Sequence, residues 1–265
     1  MRIRIAGFLA WLAICLVAPL QPAQAACPAG NSIADVVHGG TLCLVATTYG
    51  AAQAGNAPTL VVVVHGDVSS GGPADYHLEF TKSLAKPGVV AVALVRPGYS
   101  DAAGRTSEGT HYDRRDSYTP ANIAAVGGAV RALKTHYKAR SVVYVGHSGG
   151  AAIGGVLIGK NPGLIDSAVL VSCPCDIKRW REERKRGAWT RSESPSSYAA
   201  KVPATTRVVA VTGTADDNTG PGLAQSYVDS LTKRGVKARF HSVPGAAHGF
   251  GGVRAAAAAA VAELM

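Results

Sequence analysis

A serine between glycines offers the first candidate for chemistry in this chain. Residues 146–150 read GHSGG, which matches the pattern G-x-S-x-G of a nucleophilic serine on a strand–turn–helix elbow. The pattern alone is weak evidence in a chain with 31 glycines. Its surroundings support it, because an apolar run with strand character ends at Val145 and a helix pattern begins after Ser148. Ser148 is therefore the predicted nucleophile, and the alternative is an ordinary glycine-rich turn.

A nucleophilic serine needs a base, and the base needs a carboxylate that orients it. Asp216 and Asp217 follow the apolar run at residues 207–212, and His248 follows the last predicted strand, which ends near Val243. The carboxyl ends of parallel strands share one edge of a sheet, so these side chains are expected to meet Ser148 there. The alternatives are that Asp216 only caps the next helix and that His248 lies on a surface loop.

Acyl transfer also requires N–H groups that hold the negative oxygen of the intermediate. One predicted donor is the backbone N–H of Gly149, directly after the nucleophile. The other is the backbone N–H of Asp67, which follows the apolar run at residues 59–64. His65 beside it is expected to lock the turn through a hydrogen bond. No metal or other cofactor is expected, because serine chemistry needs none.

These residues need a framework that carries their loops to one edge of a sheet. Strand patterns alternate with helix patterns, as in a mostly parallel sheet covered by helices on both faces. Strands are predicted at 32–48 (one or two), 59–65, 89–95, 141–145, 167–172, 207–212 and 238–243. Helices are predicted at 74–86, 120–137, 149–159, 222–234 and 253–264. No linker interrupts residues 26–265, which predicts one domain.

The first 25 residues are predicted to be a signal peptide rather than part of the fold. Arg2 and Arg4 precede an uncharged apolar stretch, and the small residues at 23 and 25 suit cleavage before Ala26. The stretch is shorter than the ~20 residues that a membrane span needs. We therefore expect a secreted or periplasmic protein with no stable membrane span after cleavage.

Four cysteines remain after that cleavage, and an oxidising compartment would allow them to pair. Cys27 and Cys43 lie in the same early segment and are predicted to form a disulfide. Cys173 and Cys175 either close a small loop or stay reduced. Zinc is a weak alternative for the cysteines, because their spacings lack the usual C-x-x-C pairs.

Composition favours a folded core and a basic surface. Hydrophobic residues make up 47% of the chain and charged residues 17%, a mixture that argues against disorder. The formal net charge is +10 at pH 7. That charge either supports solubility or favours an anionic substrate. Nucleic acid is not an expected partner, because no nucleic-acid-binding motif accompanies the charge.

Six motifs together resemble a secreted α/β-hydrolase across nearly all of residues 40–265. They are HGD (65–67), RPGYSD (96–101), GHSGG (146–150), SPSSYA (194–199), GTADDN (213–218) and GAAHGF (245–250). The last three are similar to the catalytic domain of prolyl-oligopeptidase-type serine peptidases and to dienelactone-hydrolase-like enzymes. The resemblance implies an eight-stranded, mostly parallel sheet and, as the acid, Asp216 rather than Asp217. Those oligopeptidases carry a β-propeller before the catalytic domain, which we do not expect in residues 26–147.

The resemblance also implies a lid between the sixth and seventh strands, in the basic residues 176–202. This segment is either a solvated helix with Ile177 and Trp180 facing inward, or a cover whose arginines attract a carboxylate or phosphate. The wall that faces it is expected to include Tyr99, Tyr112, Arg114 and Tyr118. Trp180 and the first three of these are the predicted substrate-binding residues.

The sequence thus predicts a serine hydrolase that cleaves an ester or amide bond of a small molecule, with an anionic substrate as one option, through an acyl-enzyme. A small serine peptidase or an acyltransferase with the same triad is an alternative. A non-catalytic binding protein that kept the fold is another. The sequence identifies neither the substrate nor the oligomeric state.

Overall fold

A central sheet organises the molecule. The structure is a computed structural model, which describes Cys27 and residues 32–265. The predicted signal peptide, residues 1–25, lies outside the described residues. The strands are β1 (Val36–His38), β2 (Cys43–Tyr49), β3 (Thr59–Val64), β4 (Val89–Leu94), β5 (Ser141–His147), β6 (Ser167–Val171), β7 (Arg207–Gly213) and β8 (Lys237–Val243). They form one eight-stranded sheet in the order β1-β2-β4-β3-β5-β6-β7-β8.

The sheet is parallel apart from one edge. β1 pairs with β2, and β2 with β4, in antiparallel orientation, whereas β4, β3, β5, β6, β7 and β8 are mutually parallel. β3 lies between β4 and β5, and its last residue, Val64, pairs with Leu94 on one side and Gly146 on the other. The loops after these strands therefore leave the sheet at one edge. The predicted eight-stranded, mostly parallel sheet is confirmed.

Helices cover both faces of the sheet. They are α1 (Leu78–Leu84), α2 (Pro120–His136), α3 (Gly149–Lys160), α4 (Ile177–Glu183), α5 (Pro221–Thr232) and α6 (Phe250–Leu264). Leu60, Val62 and Val64 of β3 belong to the core that includes α2, α3 and α5, whereas Val61 and Val63 belong to the core with α1 and α6. A strand buried on both faces explains why TLVVVV is apolar at every position after Thr59 instead of alternating.

Local signals in the sequence start the helices that flank the functional loops. The Thr119 side chain accepts a hydrogen bond from the Asn122 N–H, and Pro120 occupies the first turn of α2. The Asp176 side chain accepts from the Arg179 N–H and starts α4 in the same way. The basic segment 176–202 therefore holds a short helix, followed by a 3₁₀ helix at Pro195–Lys201.

Two disulfides cross-link the described residues. Cys27 is bonded to Cys43, the pairing that the sequence predicts. Cys173 is bonded to Cys175 directly after β6, which selects the small closed loop from the two alternatives. Among the described helices, none combines the length and apolarity that crossing a bilayer requires.

Candidate active site

Ser148 occupies a strained turn between β5 and α3. Its φ of 51° and ψ of −113° lie in a region that residues other than glycine rarely adopt. A Cβ on Gly146 would lie 2.4 Å from the carbonyl carbon of Gly150, and a Cβ on Gly150 would lie 2.3 Å from the carbonyl oxygen of Val64. Both flanking positions therefore require glycine, and the structure has the strand–turn–helix elbow that the motif predicts.

The structure brings Ser148, His248 and Asp216 together. His248 Nε2 lies 3.1 Å from Ser148 Oγ, and His248 Nδ1 lies 3.0 Å from Asp216 Oδ2 and 3.1 Å from Oδ1. Both distances are within the range expected between a nucleophile, its base and an orienting carboxylate. The imidazole can therefore accept the serine proton on one nitrogen while the carboxylate holds the other.

Asp216 is held as a carboxylate by its own loop. The N–H groups of Asn218 and Thr219 donate to Oδ1 at 3.0 and 2.8 Å, and the Thr219 hydroxyl lies 3.0 Å from Oδ2. Burial alone would raise the pKa of Asp216, but the hydrogen bonds from His248 and Thr219 outweigh it and lower this pKa below its ordinary value. An ionised Asp216 fixes the proton on His248 Nδ1, which leaves Nε2 free to accept. The adjacent Asp217 is exposed.

His147 connects the loops on either side of the nucleophile. The Gly66 N–H donates to Tyr76 Oη at 2.5 Å, and that oxygen lies 2.7 Å from His147 Nδ1. His147 Nε2 lies 3.0 Å from the carbonyl oxygen of His248. Burial and, after it, the nearby His248 ring lower the pKa of His147 to about 4. His147 therefore links the β3 loop to the His248 loop.

The loops that carry the two predicted oxyanion donors are adjacent in space. A Cβ on Gly149 would lie 2.9 Å from Asp67 Oδ1, so the loop after β3 passes close to the start of α3. Within the part of the chain that the structure describes, neither backbone N–H donates to another protein group. Both N–H groups are therefore available to a ligand beside Ser148.

The carboxylate of Asp67 is neutralised by a buried cluster behind these donors. Arg96 Nη1 donates to Asp67 at 2.7 Å, and the hydroxyls of Tyr118 and Tyr99 donate at 2.6 and 3.2 Å. Because a bare carboxylate would repel a developing oxyanion, the ion pair with Arg96 removes an obstacle to that role. His65 Nε2 accepts from the Arg96 N–H, and its Nδ1 lies 2.7 Å from the Gly66 carbonyl oxygen, so His65 locks this turn.

A cleft of about 650 Å³ opens over Ser148 and His248. Of the four predicted substrate-binding residues, Arg114 and Trp180 line this cleft. Tyr99 is instead 1% exposed, because its hydroxyl is directed at Asp67 beneath the cleft. Tyr112 is not among the lining residues, since its ring packs under Arg191 at 4.4 Å. An adjacent cavity of about 420 Å³ is bordered by Tyr76, His147, Phe250 and Arg254, among others.

The sheet and the elbow define a serine hydrolase of the α/β-hydrolase fold. A comparison with protein families supports this class, because the profile described as the prolyl oligopeptidase family matches residues 77–265. The chain belongs to the prolyl oligopeptidase family. The matched range contains Ser148, Asp216 and His248. A comparison with curated proteins finds no match.

Solved structures share the fold at low sequence identity. Est1E from Butyrivibrio proteoclasticus with ferulic acid bound has a TM-score of 0.66 at 15% identity, covering 86% of this chain and 98% of that one. The thermophilic esterase Est2 from Thermogutta terrifontis with propionate bound has 0.65 at 16%, covering 86% and 92%. A puromycin-hydrolyzing peptidase from Mycobacterium tuberculosis has 0.62 at 17%, covering 84% of this chain and 37% of that one.

Proposed function

We propose that this hydrolase cleaves an ester or amide bond of a small molecule through an acyl-enzyme on Ser148. His248 acts as the base, and Asp216 holds it in the productive tautomer. The proposal rests on one observation: His248 lies 3.1 Å from Ser148 Oγ on one side and 3.0 Å from Asp216 Oδ2 on the other. The cleft over these residues has a volume typical of small-molecule sites.

The reaction follows from the positions of these atoms. His248 Nε2 takes the proton of the Ser148 hydroxyl as Oγ attacks the carbonyl carbon, and the N–H groups of Gly149 and Asp67 hold the resulting oxyanion. The imidazolium then protonates the leaving alcohol or amine, and the acyl group stays on Oγ. A water molecule, deprotonated by His248, attacks the acyl-enzyme and releases the acid.

The similar structures include an esterase and a peptidase, so the preferred bond is a question for experiment. Ester hydrolysis is the first candidate. Amide hydrolysis is the second candidate, and membership of the prolyl oligopeptidase family favours it. Turnover of an ester and an amide of the same acyl group, with and without an alcohol acceptor, separates hydrolase, peptidase and acyltransferase activity.

We also propose that residues 26–265 are the exported domain after removal of residues 1–25. The disulfides Cys27–Cys43 and Cys173–Cys175 support an oxidising location, because such bonds rarely persist in the cytosol. Amino-terminal sequencing of the protein from a periplasmic or culture fraction tests this, and an uncleaved chain in the cytosol contradicts it.

A fluorophosphonate probe tests the nucleophile directly. The probe should label the wild-type protein, and Ser148→Ala should lose both the label and at least about three orders of magnitude of kcat. Ser197→Ala is the matched control, because Ser197 is exposed and lies outside the cleft. Normal turnover by Ser148→Ala, or absence of labelling in the wild type, would overturn the proposed function and favour a binding protein.

A further inference from the structure

The walls of the cleft that holds Ser148 are strongly basic. Its lining includes five arginines: Arg114, Arg115, Arg181, Arg184 and Arg186. Two come from the turn around Tyr112–Arg114, and three come from the lid segment, which we define as residues 176–202. Positive charge therefore faces the reacting serine from both sides.

In the part of the chain that the structure describes, these arginines form no ion pair with a carboxylate. Four acidic side chains of the lid segment and the facing loop pair with other cations: Glu182 with Lys178, Glu183 with Arg179, Glu193 with Lys160, and Asp116 with Arg191. Among the described residues, no ion pair joins a carboxylate to any of the five cleft arginines. The acidic lining residues are Asp67, which pairs with Arg96, and the exposed Asp113. The cleft thus keeps a net positive charge.

Neutral groups fix three of these arginines in position. Arg114, Arg181 and Arg184 donate to the backbone carbonyls of Val68, Gly187 and Asp217, respectively. The Arg181 guanidinium also lies 5.4 and 5.1 Å from the ring centres of Trp180 and Trp189. Carbonyls and rings order a guanidinium without cancelling its charge, which favours binding of an oxyanion group.

The lid arginines lie close enough to repel one another. Partial burial and, after it, the charges of Arg186 and Arg184 lower the pKa of Arg181 from its usual value. A ligand that places negative charge between these groups relieves that repulsion. The backbone at Tyr112, Asp113 and Arg114 is left-handed, with φ of 49°, 54° and 60°, so the facing wall is held in an unusual conformation.

We propose that the five cleft arginines bind a carboxylate or phosphate group of the substrate, so that the enzyme prefers esters carrying such a group near the scissile bond. This inference rests on the proposed function, because the arginines share the cleft with Ser148 and His248. A charge-assisted hydrogen bond to one or two guanidinium groups should favour the anionic ester by about tenfold or more in kcat/KM.

Three 4-nitrophenyl esters test the preference: the monoester of glutaric acid, the ester of 4-phosphonobutanoic acid and the uncharged ester of pentanoic acid. We expect wild type to hydrolyse at least one anionic ester with about tenfold higher kcat/KM than the pentanoate. The faster of the two anionic esters distinguishes a carboxylate from a phosphate site. If the pentanoate is hydrolysed as well as or better than both, the inference is overturned.

A double variant locates the site. Arg115→Gln with Arg186→Gln removes one charge from each wall, and neither side chain forms a hydrogen bond or ion pair among the described residues. The matched control, Arg131→Gln with Arg234→Gln, removes two exposed charges outside the cleft. The ratio of kcat/KM for anionic and uncharged esters should fall several-fold in the cleft variant only. An equal fall in both variants would assign the preference to overall charge and overturn the site.

Failure of this inference and failure of the proposed function give different results in these measurements. Ser148→Ala is measured on the uncharged pentanoate, where the arginines have no charged partner. If Ser148→Ala loses that turnover and the wild type hydrolyses all three esters at equal rates, the anion site is excluded and the proposed hydrolase activity stands. Retained turnover removes the proposed nucleophile, whichever ester is preferred.

Discussion

Two neighbouring carboxylates in one loop allow a matched test of the catalytic acid. Asp216→Asn removes the charge that stabilises protonated His248 and reverses the hydrogen bond at Nδ1. We expect kcat to fall by about 10³- to 10⁴-fold, with a much smaller change in KM. Asp217→Asn should stay within about twofold of wild type, because its side chain is exposed and the carboxylate that contacts His248 is that of Asp216. Steady-state kinetics on one ester measure both. A larger loss from Asp217→Asn would reassign the acid.

Single residues were predictable from sequence where a short motif carries them. Ser148 follows an apolar run and His248 follows the last predicted strand, and the residue type of each indicates its chemistry. Tyr76 and Thr219 were not predicted, although both contact the site. The hydrogen-bond partners of Tyr76 are Gly66 and His147, and His147 is 71 residues away in sequence. Only the fold creates that contact, so no local spacing could have indicated it.

At the scale of elements, one buried carboxylate fastens the lid segment to the facing loop. The N–H groups of Thr190, Arg191 and Ser192 donate to Asp116 at 3.0, 3.1 and 2.9 Å. Asp116→Asn keeps one acceptor oxygen but places an amide donor against these N–H groups. We expect the free energy of unfolding to fall by about 1–2 kcal/mol in urea titrations. Trypsin should also cleave the lid segment faster, because local opening becomes easier.

The control for this prediction is Asp113→Asn. Asp113 has the same left-handed backbone, with φ of 54° against 46° at Asp116, but its exposed side chain accepts no hydrogen bond from an N–H group of the described residues. The free energy of unfolding should therefore change by less than about 0.5 kcal/mol. Equal effects of the two substitutions would show that charge, rather than the three hydrogen bonds, fastens the lid segment.

Strands were easier to predict than helix ends. The run at 59–64 is apolar at each position after Thr59, which only a strand buried on both faces requires. The helix predicted at 74–86 is shorter, because α1 spans only Leu78–Leu84. The helix predicted at 253–264 instead begins at Phe250. Two glycines follow Phe250 and disfavour a helix locally, but Phe250 packs against Phe80 at 5.0 Å, and tertiary packing outweighs the propensity.

At the scale of the whole molecule, three buried histidines lie near the same edge of the sheet as His248. His65 lies after β3, His77 precedes α1, and His147 ends β5, all near the edge of the sheet that carries the site. The rings of His65 and His77 are 5.3 Å apart. Alternating strand and helix patterns predicted this architecture, but burial of a particular ring depends on the packing of loops, which the patterns do not specify.

These three histidines should make the folded protein sensitive to mild acid. Burial is the largest cause that lowers the pKa of His77 and His147 to about 4, and it lowers the pKa of His65 well below its usual value. In the unfolded chain each ring titrates near an ordinary pKa of about 6.5. Between these values the unfolded state binds up to three protons that the folded state does not, so stability is full above about pH 6.5 and decreases as pH falls.

The free energy of unfolding should therefore drop by about 3–4 kcal/mol between pH 7 and pH 5.5, measured by urea titration at fixed ionic strength. His77→Leu isolates one of the three contributions. Whatever its effect on absolute stability, it should reduce the proton uptake on unfolding near pH 5 from about three to about two, and the slope of stability against pH by one third. A slope unchanged by His77→Leu would mean that His77 is charged in the folded protein, because only a ring that is neutral when folded contributes to this uptake.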